Sequence, residues 1–226
     1  MCANYTPSRR DQLASRFGVD PREYVFKPEA YPGSMAPIVR RSVDNPESGP
    51  LEVVSAMFGM VPQWADLNLA RQTYNSRSET TATKPSFRHA WRQRQFCIIP
   101  AESIFEPCYE TGKPVRWEIR HRLGDALGIA GIWEIRMGEK DKPALVSFSM
   151  LTVNADGDPM MQRFHKPGDE KRSVVVLPPD RYQAWIDTPI EEAAAFLTLF
   201  PASELVAAPA PRGAPKKSTL FDDDQT

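Results

Sequence analysis

Hydrophobic residues in this chain fall mostly into short runs, several with the two-residue period of a β-strand. These runs are rich in β-branched and aromatic residues, and glycine, proline or aspartate bounds them, as is typical of strands. The predicted strands cover residues 38–39, 51–60, 96–105, 115–119, 127–135, 144–153 and 173–177.

Helical spacing of apolar residues is confined to a few segments. We predict helices over 8–17, 180–187 and 190–199, and a helix over 78–94 that Pro85 interrupts. The 22 prolines favour many short elements and loops over a helical bundle. A chain of mostly strands with separate helices indicates the α+β class, with a predominantly antiparallel sheet or barrel.

Composition predicts a soluble globular protein. Hydrophobic residues make up 41% and charged residues 25% of the 226 positions, which are ordinary proportions for one domain. No apolar run approaches the roughly 20 residues that span a bilayer, and no signal-peptide pattern opens the chain. We therefore expect a cytoplasmic protein without a membrane partner.

The three cysteines are Cys2, Cys97 and Cys108, and their spacing matches no zinc pattern. They cannot all pair, which fits a reducing compartment, and we expect no metal. Cys97 and Cys108 are interpreted as buried structural thiols. The net charge of −1 gives no overall nucleic-acid signal, so any such binding requires a local basic patch.

The C-terminal composition predicts a domain boundary. Residues 207–226 are rich in proline and alanine, then basic, then acidic, which is typical of a disordered tail. The predicted domain is therefore 1–206. Within the tail, Leu220 and Phe221 faintly resemble the Leu-Phe ending of bacterial sliding-clamp-binding peptides, which suggests a weak clamp contact against the alternative of an ordinary tail.

Cys2 stands where removal of Met1 leaves a free N-terminal cysteine. An α-amine and a thiol on adjacent carbons condense with an aldehyde to an imine and then a thiazolidine. The amine titrates near about 8 and the thiol near about 8.5, so both nucleophiles are accessible at neutral pH. The alternative is a frayed terminus without a role.

Residues 75–94 interleave cations with the rings of Phe87 and Trp91. The cations between them are Lys84, Arg88, His89, Arg92 and Arg94. Such a stretch suits a nucleic-acid strand, because the charges neutralise phosphates and the rings stack on bases. The residues alone leave open an amphipathic helix whose aromatic side chains belong to the core.

Three further polar residues are candidates for chemistry. Asn75 and Glu106 lie at predicted strands or strand ends, and His165 precedes a Lys-Pro-Gly turn. A carboxylate at a strand end acts as a general acid when its surroundings raise its pKa. The alternatives are a solvated or capping glutamate and an ordinary surface histidine.

Seven motifs occur in an order that resembles one protein family. They are MC at 1–2, FGMVPQW at 58–64, NSRSET at 75–80, FRHAW at 87–91, CIIPAESIFEP at 97–107, AGIWE at 130–134 and FHKPGDEKR at 164–172. Over roughly residues 1–200 the chain resembles the SOS response-associated peptidase (SRAP) family. The resemblance implies one α+β domain built on a distorted antiparallel β-barrel, with a few peripheral helices and a positively charged groove for single-stranded DNA.

The same resemblance implies four catalytic residues. Cys2, after loss of Met1, resembles the family nucleophile that forms a thiazolidine with the ring-opened aldehyde of an abasic deoxyribose. Asn75 matches the asparagine that positions the sugar and the cysteine. Glu106 matches the carboxylate that assists ring opening and proton transfer, and His165 matches the histidine that contacts the sugar oxygen.

For DNA binding, the resemblance implies roles for Arg77 and Arg88 at phosphates and for Trp64 in a base-separating wedge. Trp91 adds a stacking ring from the basic stretch. Three departures from the family pattern affect the DNA contacts. The usual Met-Cys-Gly-Arg start is Met-Cys-Ala-Asn, a proline follows Glu106, and a longer HKPGDEKRS replaces the compact His-x-Arg-Met-Pro.

The leading hypothesis is covalent capture of abasic sites in single-stranded DNA during the SOS response, without metal or cofactor. The expected protein is a monomer that joins the nucleoid when bound to DNA. One alternative is a cysteine peptidase, a hydrolase that uses Cys2 to remove its own Met1. Another is a non-covalent module for single-stranded or modified DNA. The imine without ring closure permits β-elimination, so the expected activity is lyase-like in part.

Overall fold

The computed structural model describes residues 2–20, 27–45, 49–138 and 143–212. Its strands are β1 (Tyr5–Pro7), β2 (Met35–Arg41), β3 (Leu51–Phe58), β4 (Asn75–Arg77), β5 (Phe96–Cys108), β6 (Val115–His121), β7 (Leu127–Arg136), β8 (Leu145–Asn154), β9 (Arg172–Val174), β10 (Val176–Leu177) and β11 (Leu205–Pro209). Its α-helices are α1 (Arg10–Phe17), α2 (Arg88–Arg92) and α3 (Tyr182–Asp187). Short 3₁₀ helices lie at Leu67–Arg71, Met161–Arg163, Pro179–Arg181, Ala193–Phe196 and Ala202–Glu204.

Five strands close into a barrel in the order β7, β8, β3, β2 and β5, because β5 pairs with both β2 and β7. The ring is antiparallel except for the β3–β8 pair. The small strand β4 also runs parallel to β8, and β9, β10 and β1 add to the outside of the ring. The predicted α+β fold with a distorted, mainly antiparallel barrel is therefore confirmed.

Strand β5 belongs to two parts of the sheet. Its first half pairs with β7, from Phe96 opposite Ile132 to Ala101 opposite Leu127. Its second half leaves the barrel and pairs with β6, which in turn pairs with β11. Strand β1 lies along the middle of β5 and brings the N-terminal residues against it.

Both faces of β2, β5, β7 and β8 are largely buried, which explains why their sequences are rich in apolar residues, whereas β3 is only partly buried. Alternate residues point inward and outward along each strand. On β5, Ile99 lies in the barrel interior with Phe58 and Phe148, whereas Ile98 lies in an outer core. A five-stranded barrel is narrow, so side chains fill it completely.

The outer core lies between the barrel and the helices. Leu13 and Phe17, one turn apart on α1, bury the same face of that helix. On α3, Trp185 stacks on Phe96 at 4.4 Å and donates its indole N–H to the carbonyl oxygen of Cys97 at 2.9 Å. A buried tryptophan is stable when its one donor is satisfied in this way.

The structure differs from the sequence predictions in short elements. Helix α2 covers only five residues of the predicted helix over 78–94, because turns occupy the residues around Pro85. The three-residue strands β1 and β4 were not predicted, since so few residues show no period. Strand β11 runs three residues past the predicted boundary at 206 because backbone pairing with β6 holds it.

Residues 213–226, including the clamp-like Leu220 and Phe221, lie outside the described residues. In the part of the chain that the structure describes, no helix is long and apolar enough to cross a membrane.

Gly59 directly follows β3 and has a backbone conformation that is strained for any residue with a side chain. Its φ is +113°, and a Cβ there lies 2.1 Å from the carbonyl oxygen of Ala70. We predict that Gly59→Ala lowers the free energy of unfolding by about 3 kcal/mol or more, from backbone strain and overpacking together. Gly112 also has positive φ, +77°, but has no atom within 4 Å of the added Cβ.

The matched control is therefore Gly112→Ala, which we expect to cost only about 1 kcal/mol of strain. Urea unfolding followed by circular dichroism measures both variants. Equal losses of stability in the two variants contradict the close approach of Ala70 to Gly59.

Candidate active site

Cys2 is held in the core rather than left at a frayed end. Cys2 is 1% exposed, and its carbonyl oxygen accepts a 2.9 Å hydrogen bond from the Asn75 side-chain amide. The thiol donates to the carbonyl oxygen of Asn4 at 3.4 Å. Burial, reinforced by the nearby charge of Glu106, raises the pKa of the Cys2 thiol to about 12. In this chain, with Met1 present, the thiol is neutral.

Asn75 is the first residue of β4, which runs parallel to β8 and places Asn75 opposite Met150. The following residue, Ser76, points to the other face and is fully buried, where its hydroxyl bonds that of Thr81 at 2.7 Å. This anchor fixes the strand and therefore the amide of Asn75. The Asn75 Oδ1 atom has no hydrogen-bond partner among the described residues, so an acceptor faces the site.

Glu106 lies on the outer half of β5, opposite Trp117 of β6, and is 3% exposed. Burial raises the pKa of its carboxyl group from 4.5 to about 7. A carboxyl group with a pKa near neutrality is present in both forms at physiological pH. It can therefore donate and accept a proton.

His165 follows the last of the short helices before β9 and has a left-handed backbone, with φ of +63°. Its backbone N–H donates to the carbonyl oxygen of Pro107 at 3.2 Å, which ties the loop to β5 directly after Glu106. Burial lowers the pKa of its imidazole to about 4, so the ring is neutral at pH 7. A non-glycine residue in this conformation stores strain, which commonly marks functional positions.

The imidazole Nε2 of His165 lies 3.7 Å from a carboxylate oxygen of Glu106. That separation exceeds a hydrogen bond, and burial favours the neutral form of both groups. At neutral pH the contact is therefore not an ion pair. It is a neutral imidazole in contact with a partly protonated carboxyl group.

Three residues near these groups were not predicted as site residues. The carbonyl oxygen of Asn4 accepts a hydrogen bond from the thiol of Cys2. The pKa of Tyr74 is raised by burial and by the charges of Glu106 and Cys2. Lys171 donates a hydrogen bond to the carbonyl oxygen of His165 at 3.4 Å. Tyr74 directly precedes the NSRSET motif, which is the one sequence signal that pointed to it.

The predicted DNA contacts are divided between the surface and the core. Arg77 shares the strand face of Asn75, two residues along β4, and its side chain is about half exposed. Arg88 is exposed on α2, and Trp64 is 66% exposed.

Trp91 is buried instead. It packs edge-on against Phe96 at 5.3 Å, and Phe87 lies in the same outer core. The aromatic residues of this segment therefore belong to the core, as the amphipathic-helix alternative proposed. The buried ring of Trp91 has no free face on which a base could stack. The exposed cations Arg88 and Arg92 lie one turn apart on the other side of α2.

Among the described residues, no cluster of three or more histidine, cysteine, aspartate or glutamate side chains is arranged to hold a metal ion. Cys2, Asn75, Glu106 and His165 thus form a buried group with one thiol, one amide, one carboxyl and one neutral imidazole. Such a set can supply a nucleophile, hold a substrate oxygen by hydrogen bonds and transfer protons.

The buried carboxyl group of Glu106 makes a prediction about stability and pH. Between pH 4.5 and about 7, the folded state keeps a proton that the unfolded state has released, so stability falls as pH rises through this window. Glu106→Gln has no such proton. We predict that the wild type loses up to about 3 kcal/mol relative to Glu106→Gln between pH 4.5 and 8.

Urea unfolding of both proteins at several pH values measures this difference. His165 contributes in the opposite sense as pH rises from about 4 to 6.5, so both proteins are compared in a His165→Asn background, where this contribution is absent. A difference that does not change with pH shows that Glu106 is ionised in the folded protein throughout.

Comparisons with known proteins agree with this fold. A family model described as SOS response associated peptidase (SRAP) matches residues 1–212. The abasic site processing proteins YoaM and YobE of Bacillus subtilis (strain 168) are 24% and 23% identical over 191 residues. That alignment covers 83% of this chain and 79% and 82% of those proteins.

Solved structures agree as well. A crystal structure of a Bordetella bronchiseptica protein superposes with a TM-score of 0.84 at 33% identity, covering 93% of this chain and all of that one. A Bacteroides thetaiotaomicron protein has the same fold, with a TM-score of 0.76 at 20% identity over 91% of this chain and 90% of its own. With its barrel and with a family match that spans nearly its whole length, this chain belongs to the SOS response associated peptidase (SRAP) family.

Proposed function

We propose that this protein processes abasic sites in single-stranded DNA by covalent capture on Cys2, once Met1 has been removed. The observation that carries the proposal is the burial of Cys2, whose carbonyl oxygen is held by Asn75 and whose thiol lies within the electrostatic reach of Glu106. A terminal residue without a function has no reason to be fixed in this way. The relatives YoaM and YobE, described as abasic site processing proteins, support the substrate.

The proposed reaction joins an aldehyde to the amine and thiol of Cys2. The neutral α-amine adds to C1′ of the ring-opened deoxyribose, and loss of one water molecule gives an imine. The thiol then adds across the C=N bond: sulfur bonds to C1′, and the thiol proton goes to nitrogen. The net products are a thiazolidine and one water molecule. Both nucleophiles belong to one residue, so ring closure is intramolecular and fast.

Each neighbouring side chain has a role in this reaction. Glu106, with its pKa of about 7, donates a proton to the departing sugar oxygen and accepts one from the attacking amine. The free Oδ1 of Asn75 accepts from a hydroxyl or amine in the site. The neutral imidazole of His165 contacts the sugar oxygen as a donor or acceptor.

In the proposed capture the α-amine attacks first, and the thiol acts only after the imine has formed, by intramolecular ring closure. A cysteine peptidase instead needs a thiolate, whose pKa is lowered by an adjacent imidazolium or a helix N-terminus. Here burial raises the pKa of Cys2 to about 12, and His165 is neutral. The raised pKa favours aldehyde capture over peptide hydrolysis. Closure to the thiazolidine also suppresses the β-elimination that the imine alone would allow.

The DNA strand is proposed to contact Arg77 and Arg88 through phosphates and Trp64 through a base. These side chains are exposed, and β4 leads directly from Asn75 to Arg77. We further propose that the protein acts as a monomer in the cytoplasm, on the nucleoid when bound, as part of the DNA damage response.

Covalent capture predicts a crosslink that survives denaturation. Incubation of the purified protein with a single-stranded oligonucleotide carrying one abasic site should give a shifted band on an SDS gel after heating. Cys2→Ala should give none, and neither should a variant with an uncleaved residue before Cys2, because its α-amine is blocked. Mass spectrometry of the wild type is used first to check that Met1 has been removed.

The matched control is Cys97→Ala, which removes another free, buried thiol of the same core. It should crosslink as the wild type does. Absence of a shifted band from wild type with a confirmed N-terminal cysteine refutes covalent capture. Retained binding without a crosslink then favours the non-covalent DNA-binding module, and cleavage of a peptide substrate favours the peptidase.

Proton transfer by Glu106 predicts a pH profile. The acid form of a group with a pKa of about 7 is lost as pH rises, so the wild-type crosslinking rate should carry an alkaline limb near pH 7. Glu106→Gln should be slower by about 100-fold or more at pH 6.5 and should lack that limb. Single-turnover gel assays at several pH values measure both features; an unchanged rate excludes Glu106 from the chemistry.

A further inference from the structure

The loop between His165 and β9 places a carboxylate on Arg77, which lies two residues after Asn75 on β4. Glu170 accepts from Arg77 Nη1 at 2.8 Å through one oxygen. Its other oxygen accepts from Arg172 Nη1 at 2.8 Å and from the side-chain amide of Asn154 at 3.2 Å. One carboxylate therefore bridges two guanidinium groups.

The two arginines differ in what they can release. Arg172 is 2% exposed and makes a bidentate pair with Glu79 at 2.9 and 3.0 Å, with a further bond to the carbonyl oxygen of Thr152 at 2.8 Å. It is a fixed part of the structure. Arg77 is about half exposed and pairs with Glu170 at the surface. Its guanidinium is open to another anion.

We propose that Glu170 competes with DNA phosphate for Arg77, holding the guanidinium in the free protein and yielding it when single-stranded DNA binds. The inference rests on the proposed function, since it deepens the DNA binding of the same site. A carboxylate and a phosphodiester each carry a single negative charge and bind a guanidinium through paired oxygens, so one replaces the other.

Replacing Glu170 by a phosphate on Arg77 costs little free energy because both side chains are near the surface. An exposed ion pair of this kind contributes little to stability. When Glu170 leaves Arg77, its carboxylate keeps Arg172 and Asn154 as partners and does not become a buried unpaired charge. The phosphate then meets Arg77 but also faces the released carboxylate, so the net gain in binding is reduced.

Competition of this kind weakens binding to every single strand equally, whatever its sequence. Covalent capture occurs only where an aldehyde is present. A protein that holds undamaged DNA loosely and abasic DNA covalently is selective without a strong non-covalent site. The acidic residues Asp169 and Glu170 belong to the longer sequence that stands here in place of the compact family motif.

The test measures equilibrium binding of an undamaged, fluorescein-labelled single-stranded oligonucleotide by anisotropy, where no crosslink forms. Glu170→Gln keeps the shape of the side chain but removes its charge. The matched control is Asp169→Asn, which removes the same charge from the neighbouring position, whereas the ion pair to Arg77 belongs to Glu170. We expect Glu170→Gln to bind about three- to fivefold more tightly than Asp169→Asn.

A double-mutant cycle completes the test. In an Arg77→Ala background the advantage of Glu170→Gln over Asp169→Asn should disappear, because the shared partner is gone. Thermal melting checks that each variant is folded, and Glu170→Ala provides a second neutral variant. A Glu170→Gln affinity equal to that of Asp169→Asn, or weaker, overturns the competition while leaving covalent capture intact.

The remaining outcomes are also decisive. If neither the wild type nor Glu170→Gln binds the oligonucleotide, both the competition and the proposed DNA contact at Arg77 are refuted. If only Glu170→Gln binds, the competition is supported in its strongest form. An advantage that persists in the Arg77→Ala background assigns the effect to general charge repulsion and refutes the role of Arg77.

Discussion

A single thirteen-residue strand, β5, closes the barrel and then leaves it, and the site depends on that departure. While it pairs with β7, its side chains fill the interior of the barrel and the outer core. Beyond Ala101 the pairing passes to β6, and β1 lies alongside to bring in the N-terminal segment. On this outer half of β5, Glu106 lies beside Cys2 and the His165 loop, and all three residues are buried.

Burial is the largest influence on the protonation of the site residues. Burial raises the pKa values of Cys2 and Glu106 and lowers that of His165, so all three groups tend toward their neutral forms. The strong ion pairs lie further out, at Arg172 with Glu79 and Glu170. The groups near the reacting atoms can therefore gain or lose a proton during the reaction.

The sequence was sufficient for the barrel because most of its strands are long and buried on both faces. Every predicted strand between 38 and 177 corresponds to an observed one, since runs of β-branched and aromatic residues are hard to place otherwise. The strands β1, which follows Cys2, and β4, which begins with Asn75, were missed because three residues have no period. Pairing with β5 and β8 creates them, and that information is not local.

The candidate site shows the same division between local and tertiary information. Motif resemblance pointed to the four central side chains, whereas the interleaving of cations and rings over 75–94 pointed to Trp91, whose ring the outer core covers. Asn4 and Lys171 lie close in sequence to Cys2 and His165, but no motif marks them, and the folded chain was needed to show their contacts. Tyr74 comes near Cys2 and Glu106 only through the fold. The bridging of Arg77 and Arg172 by Glu170 is likewise invisible in a run of alternating charges.

The left-handed backbone of His165 has an evolutionary consequence. Glycine adopts that conformation without strain, whereas a histidine there costs free energy. Mutational drift under selection for stability alone therefore moves this position toward glycine. A lineage that keeps the imidazole does so against that drift, so the identity of this one residue records whether descendants of the protein still use the site.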